Sequence, residues 1–252
     1  MLPRVRDRAW LLRQDRARRR ALKDGRRRQL QFYRQFVHAR GLVFDVGANT
    51  GERTDVFAAL GSAVVAFEPL PQLSGALVDR FAHNPAVVVR ATALGATPGI
   101  AQLRMGDEST ISTMSDSWRE AVTSSGRFSD HRWGEAIDVP VSTLDVEIAL
   151  QGRPDFCKID VEGFELEVLR GLSSPVPALS VEYTHEQSDV AESCLHRIAA
   201  LGDYRFAFSV GESMVLWSRG WCSLAATLDG LRSLDEPLPW GDLYAVQERS
   251  AS

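Results

Sequence analysis

From residue 41 onward, short runs of β-branched and other apolar residues alternate with longer stretches in which apolar positions recur every three or four residues. This alternation predicts an α/β fold with a doubly wound, mostly parallel sheet. The predicted strands are Leu42–Val46, Ala63–Phe67, Ala86–Leu94, Ile100–Arg104, Ala136–Val141, Asp155–Val161, Ala178–Tyr183, a hairpin of Arg205–Val210 with Met214–Trp217, and Leu243–Gln247 as the closing edge strand. The predicted helices are residues 51–60, Pro71–Ala82, Glu165–Leu172 and Val190–Leu201.

Residues 105–135 interrupt this alternation. Ten of the residues from 107 to 130 are Ser or Thr, and apolar positions there show little periodicity. Such a composition is typical of a long functional loop. We expect a lid or substrate loop at 105–135, the alternative being an ordinary surface insertion.

Charge divides the chain at residue 41. Residues 1–40 hold 14 Lys or Arg against three acidic residues, a net charge of +11, and residues 41–252 hold 15 against 30, a net charge of −15. The apolar residues among these arginines predict a basic helical N-terminal arm, residues 1–40, joined to one domain, residues 41–252. We expect the arm to pack on that domain or to build a homo-oligomer, with anionic lipid or nucleic acid as the alternative partner.

The overall composition, 44% hydrophobic and 25% charged, is that of a folded globular protein. No apolar run approaches the roughly 20 residues needed to cross a bilayer, so we expect no membrane span. Cys157, Cys194 and Cys222 form no C-x-x-C pair, which argues against a disulfide framework or a structural zinc site and fits a cytoplasmic protein.

The loop after the first predicted strand indicates a ligand site. Asp45 is followed by Gly47 and Gly51, without the glycine pattern of a dinucleotide site or the lysine of a phosphate loop. An acidic residue at this place would repel phosphate and suits a cationic ligand. S-adenosylmethionine fits, with Asp45 on its amino-acid end and the two glycines letting the backbone close on it. Glu68 ends the second strand 23 residues later, where a carboxylate can accept hydrogen bonds from both ribose hydroxyls.

Five segments extend this interpretation to a family. VFDVGANTG at 43–51, AFEP at 66–69, ALG at 93–95, VPVSTLD at 139–145 and FCKIDVEGFELEVLRGL at 156–172 resemble, in order and spacing, the FkbM-type methyltransferases. The resemblance covers roughly residues 41–185. It implies a class I, Rossmann-like, S-adenosylmethionine-dependent methyltransferase that methylates hydroxyl oxygens of sugars or polyketide-type natural products. It places the donor on Asp45, Gly47, Asn49, Thr50, Gly51, Glu68, Pro69, Ala93 and Leu94, and the active-site rim on the block from Asp160 to Glu165.

Methyl transfer to an alcohol also needs a base or a metal ion, because a neutral hydroxyl is a weak nucleophile. Asp160 and Glu182 lie at the ends of the predicted fourth and fifth parallel strands, and Glu162 and His185 come shortly after them, where the carboxyl ends should face the donor. Asp160 or His185 is the predicted general base, or Asp160 and Glu182 hold Mg²⁺. The alternatives are that Glu162 only caps the next helix, that Glu182 pairs with Lys158, and that His185 is solvated.

The sequence therefore predicts an O-methyltransferase with a small-molecule hydroxyl acceptor. The basic arm leaves a nucleic-acid methyltransferase as one alternative function. A non-catalytic scaffold that keeps the fold is the other.

Overall fold

A computed structural model describes residues 20, 23–107, 112–126, 131–217, 220–234 and 240–248. Its strands are β1 (Leu42–Val46), β2 (Ala63–Phe67), β3 (Val87–Arg90), β4 (Ala93–Leu94), β5 (Gly99–Gly106), β6 (Trp133–Ser142), β7 (Phe156–Ile159), β8 (Ala178–Thr184), β9 (Tyr204–Phe208) and β10 (Trp240–Gln247). Residues 23–33 are helical and are named α1. The other helices are α2 (Glu52–Ala59), α3 (Pro71–Phe81), α4 (Asp116–Ser124), α5 (Leu144–Gln151), α6 (Glu165–Arg170), α7 (Ser188–Ala199) and α8 (Leu224–Arg232).

Seven strands form a central sheet in the order β3-β2-β1-β7-β8-β10-β9. The first five are parallel, and β10 runs antiparallel to both of its neighbours. The predicted α/β class with a mostly parallel sheet is confirmed. β7 is buried at all four positions, as expected for a strand covered on both faces. The carboxyl ends of β1, β2, β7 and β8 consequently lie along one edge of the sheet.

The last predicted strand was misplaced. β10 is not an edge strand, because it lies between β8 and β9. Its five consecutive buried residues, from Gly241 to Ala245, are typical of a strand covered on both faces, and an edge strand needs no such run.

The predicted hairpin is also wrong. Residues 214–217 form no strand, and β9 instead makes an isolated bridge between Phe206 and Cys222 on that side.

A second sheet was also missed as a unit. β4, β5 and β6 form a three-stranded sheet in the order β4-β6-β5. The predicted strand Ala86–Leu94 is therefore two strands in different sheets, because β3 pairs with β2 and β4 pairs with β6. The chain changes sheets near Thr92, whose hydroxyl donates to the Pro140 carbonyl. The segment 105–135 contains α4, whose first turn is capped by the Ser115 hydroxyl. Helices α5 and α8 were not predicted.

The described part of the N-terminal segment packs on the sheet. Phe32, Tyr33 and Phe36 are buried, and the rings of Phe36 and Tyr244 stack with their centroids 5.4 Å apart. Residues 1–19, 21 and 22 of the predicted arm lie outside the described residues. No helix among the described residues is long and apolar enough to cross a membrane.

Candidate active site

A cavity of about 400 Å³ opens at the carboxyl edge of the central sheet. Its walls come from the loops after β1, β2 and β7, from β4, β5 and β8, and from the first residue of β10. Ligands of doubly wound folds bind at this edge, and the volume is within the range of about 300–1,000 Å³ that is typical of small-molecule sites. The cavity is therefore the candidate active site.

Glu68 ties two loops together on one side of the cavity. Its buried carboxylate accepts the backbone N–H of Asn49 at 2.8 Å and that of Leu70 at 2.9 Å. Burial raises the pKa of Glu68, and the two N–H donors partly oppose this effect. Asn49 lies in the left-handed region with φ 48°. Asn adopts this conformation more readily than most residues other than glycine.

The predicted donor residues fall into two groups. Those that line the cavity are Gly47, Asn49, Glu68, Pro69, Ala93 and Leu94, and those outside its lining are Asp45, Thr50 and Gly51. Asp45 is fully buried behind the lining and accepts a hydrogen bond from the Thr54 hydroxyl at 2.6 Å. Burial raises its pKa, while nearby Lys158 lowers it. Contact between Asp45 and the donor stays a prediction.

The two glycines of this loop are explained by packing within the protein. A Cβ at Gly47, where φ is 81°, would lie 1.8 Å from the carbonyl oxygen of Asp160. A Cβ at Gly51 would lie 2.6 Å from the Leu77 side chain. Gly47 is thus required by packing against the turn after β7 and Gly51 by packing against α3, and the contact of both glycines with the donor stays a prediction.

Three carboxylates meet at the other side of the cavity. Asp160 and Glu162 follow β7, Glu182 lies in β8, and one oxygen from each lies within 4.8 Å of the other two. These oxygens suit a hard cation such as Mg²⁺. The predicted pair of Asp160 and Glu182 thus gains Glu162, which has φ 53° in a sharp left-handed turn.

The two alternatives for Glu162 and Glu182 are not what the structure shows. Lys158 is buried and donates to Asp160 at 2.7 Å, so its ion pair is with Asp160 and not with Glu182. The turn after β7 is held by Glu165, whose carboxylate accepts the backbone N–H groups of Val161 and Gly163 at 3.0 Å. Glu162 lies before the first turn of α6, which begins at Glu165, and its side chain lines the cavity.

The carboxylates differ in acidity. Burial opposes the charge of Asp160, but the attraction of Lys158 outweighs it and lowers the pKa of Asp160. Burial, reinforced by the negative charges of Asp160 and Glu162, raises the pKa of Glu182. The hydrogen bond between Glu182 and Asp160 acts in the same two directions, raising the pKa of Glu182 and lowering the pKa of Asp160.

His185 does not join the other predicted catalytic residues. It is exposed, begins a short 3-10 turn (His185–Gln187) after β8, and lies outside the cavity lining. Asp160, Glu162 and Glu182 are therefore the predicted catalytic residues that the structure brings together.

Several lining residues had not been singled out. Ser112 and Met114, in the segment that was predicted as a lid, line the cavity together with Glu212 and Trp240. Glu212 follows β9 and pairs with Arg53 of α2, with an N–O distance of 2.6 Å. Their separation of 159 residues left no local signal for this pair.

Comparisons with known proteins show which family and which solved structures this chain is similar to. The Methyltransferase FkbM domain matches residues 45–208. The precorrin-6Y C5,15-methyltransferase of Geobacter metallireducens is 12% identical, with 88% of this chain and 87% of that chain covered and a TM-score of 0.47. A TehB-like methyltransferase of Corynebacterium glutamicum is 10% identical, with 88% of each chain covered and a TM-score of 0.46. An rRNA methylase of Streptococcus thermophilus is 10% identical, with 87% and 94% covered and a TM-score of 0.44. None of the curated proteins matches.

Proposed function

Because this chain belongs to the FkbM methyltransferase family and is an S-adenosylmethionine-dependent methyltransferase, we propose that it methylates a hydroxyl oxygen of a small molecule. One observation carries the proposal. A single cavity joins the Glu68 side, which suits the donor, to Asp160, Glu162 and Glu182, which suit a hydroxyl acceptor.

The residues on the Glu68 side fit S-adenosylmethionine. Each oxygen of Glu68 keeps a lone pair beyond the one used by a backbone N–H, so the carboxylate can still accept from both ribose hydroxyls. Leu70 and Leu94 offer apolar surface for the adenine ring, and Asn49 offers polar groups for the amino-acid end. When bound, the donor supplies an electrophilic methyl group on a sulfonium.

Asp160 is the residue that we assign to the acceptor hydroxyl. Lys158 keeps it ionised, so its carboxylate can accept the hydroxyl hydrogen and hold the oxygen in one orientation. The hydroxyl becomes strongly acidic as its oxygen forms the new C–O bond. A carboxylate of low pKa is therefore basic enough to receive the proton at that stage.

A magnesium ion on Asp160, Glu162 and Glu182 is the second arrangement that we propose to test. Three carboxylates this close repel one another unless a proton or a cation lies among them. Bound Mg²⁺ would lower the pKa of an alcohol at this place. Calorimetric titration with Mg²⁺ should show one site that Glu162→Gln removes, whereas Glu248→Gln, an exposed carboxylate paired with Arg205, should leave it unchanged. No heat of binding to the wild type would rule this arrangement out.

The position of the transferred methyl group tests the proposed function. We would incubate the protein with ¹³C-methyl S-adenosylmethionine and a panel of hydroxyl, amine and activated-carbon acceptors, and read the carbon shift of the product. We expect an O-methyl signal that falls at least tenfold in Asp160→Asn and not in Glu248→Gln. A signal only from N-methyl or C-methyl products would contradict the proposal.

The partners that were predicted for residues 1–40 also stay proposals. We propose a cytoplasmic homo-oligomer that forms through this segment, because its charge of +11 complements the −15 of the remaining residues. Light scattering on the full chain and on a variant without residues 1–22 should show fewer subunits per particle for the shortened chain. A monomeric full chain would contradict this.

A further inference from the structure

The acceptor side of the cavity is strongly acidic. Four carboxylates line it, namely Asp160, Glu162, Glu182 and Glu212. Within the described part of the chain, no Lys, Arg or His side chain lines the cavity. This imbalance bears on the charge of the molecule that the site admits.

The two cations beside this wall are already engaged. Lys158 lies 2.7 Å from Asp160, and its side chain is 5% exposed. Arg53 lies 2.6 Å from Glu212, and its side chain is 14% exposed. Neither can turn towards a ligand without abandoning a carboxylate in a partly buried site, which is costly. If one of the four carboxylates carries a proton, three negative charges still face these two positive ones.

Glu212 adds a negative charge to this wall that is separate from the cluster of Asp160, Glu162 and Glu182. Its side chain is 54% exposed, yet the largely buried guanidinium of Arg53 fixes one of its oxygens. It shares the wall with Trp240, the first residue of β10. Trp240 pairs with Thr184 of β8 and so lies at the same edge of the sheet as Glu182. A cation held by Asp160, Glu162 and Glu182 would leave the charge of Glu212 in place, because Glu212 is not part of that cluster.

We propose that Glu212, positioned by Arg53, restricts the site to uncharged or cationic acceptors: it accepts hydrogen bonds from hydroxyl or ammonium groups and excludes molecules that carry a phosphate or carboxylate near the reacting hydroxyl. The inference rests on the proposed function, because it describes the acceptor of that same reaction. Carboxylate oxygens accept hydrogen bonds only, so a hydroxyl or ammonium group pairs with Glu212 and an anion does not. The negative charge of Glu212 also repels a phosphate or carboxylate that is placed beside it.

Ionic quenching of Trp240 fluorescence tests the charge of this wall without an identified acceptor. Iodide stands for an anionic substituent and caesium for a cationic one. Both are added to protein saturated with S-adenosylhomocysteine, at constant ionic strength, with EDTA and again with Mg²⁺. Subtracting the signal of Trp240→Phe isolates the contribution of Trp240. The quenching constant of each ion is divided by its constant for free tryptophan, and on this scale we expect caesium to quench the wild-type contribution at least threefold more efficiently than iodide.

Two variants assign the effect to Glu212. Glu212→Gln should lower the caesium-to-iodide ratio at least twofold, and Glu248→Gln, whose carboxylate also lies 2.6 Å from an arginine, should leave it unchanged. Equal or stronger quenching by iodide in the wild type, or an unchanged ratio in Glu212→Gln, overturns the inference. This readout does not depend on which atom is methylated, so its failure is distinct from failure of the O-methylation proposal, which the carbon shift of the product decides.

Discussion

Replacing Gly47 by alanine tests whether the β1 loop and the turn after β7 are packed against each other as described. The new Cβ would start 1.8 Å from the Asp160 carbonyl oxygen, far inside van der Waals contact. The left-handed φ of 81° costs an alanine about 1–2 kcal/mol. Forcing the two loops apart adds about 1–3 kcal/mol, as overpacking usually does. Gly47→Ala should therefore lower the free energy of unfolding by about 2–5 kcal/mol.

Thermal unfolding of the ligand-free protein measures this cost. For a chain of this length, about 2–4 °C is lost per kcal/mol, so the midpoint should fall by about 4–20 °C. Gly75→Ala is the matched control, since Gly75 is exposed within α3 and a Cβ there would meet nothing within 4 Å. It should raise the free energy of unfolding by about 0.5–1 kcal/mol. A ligand-free Gly47→Ala protein that melts with the wild type would refute the packing argument and return Gly47 to a role in ligand contact alone.

Three further substitutions probe buried polar groups. Lys158→Met should lower the free energy of unfolding at pH 7 by about 3–5 kcal/mol in chemical denaturation, because Asp160 and Asp45 lose their buried counter-ion; a loss below about 1 kcal/mol would contradict this. Burial raises the pKa of Glu165 to about 7, above its value of about 4.3 in the unfolded chain, so the wild type should lose stability as pH rises from about 4.5 to about 7. Glu165→Gln should make this fall shallower in EDTA, and an unchanged slope would disprove the assignment. Tyr33→Phe should leave stability unchanged or raise it by up to about 1 kcal/mol, since the buried Tyr33 hydroxyl has no hydrogen-bond partner within the described residues; a clear loss would reveal a partner.

The strands that carry the site could be predicted from the sequence because each is a short, mostly apolar run rich in β-branched or aromatic residues. β1 and β2 have the predicted bounds, and β7 differs from its prediction only at the ends. Recognising such runs needs no long-range information, since a strand buried on both faces is apolar at most of its positions. The acidic residues that follow them were then placed at one edge by the parallel topology alone.

The elements that were missed depend on pairing between distant residues or on weak local patterns. β4 has only two residues, and its partner β6 begins about 40 residues later. β10 reads as an ordinary apolar strand, and only the pairing shows that it enters between β8 and β9. Helix α4 does have a local signal, since Trp118 and Val122 are buried four residues apart, but the surrounding Ser and Thr residues obscured it.

The same distinction holds within the site. Glu68 and Asp160 follow strands that were recognised, so their places could be predicted. Glu212 lies in the connection after β9, and its position is set by Arg53, far away along the chain. His185 follows a recognised strand, but the chain turns before it and carries the side chain outside the cavity lining.

Calorimetric titration with S-adenosylhomocysteine tests the central claim most directly, namely that the cavity beside Glu68 holds the methyl donor. The wild type should bind one equivalent, and Glu68→Gln should bind about 10 to 100 times more weakly, since a hydrogen bond to a charged acceptor contributes about 1.5–3 kcal/mol. Glu147→Gln replaces an equally buried carboxylate outside the cavity lining and should bind as the wild type does. Equal affinity of the wild type and Glu68→Gln, with both proteins folded, would contradict the account.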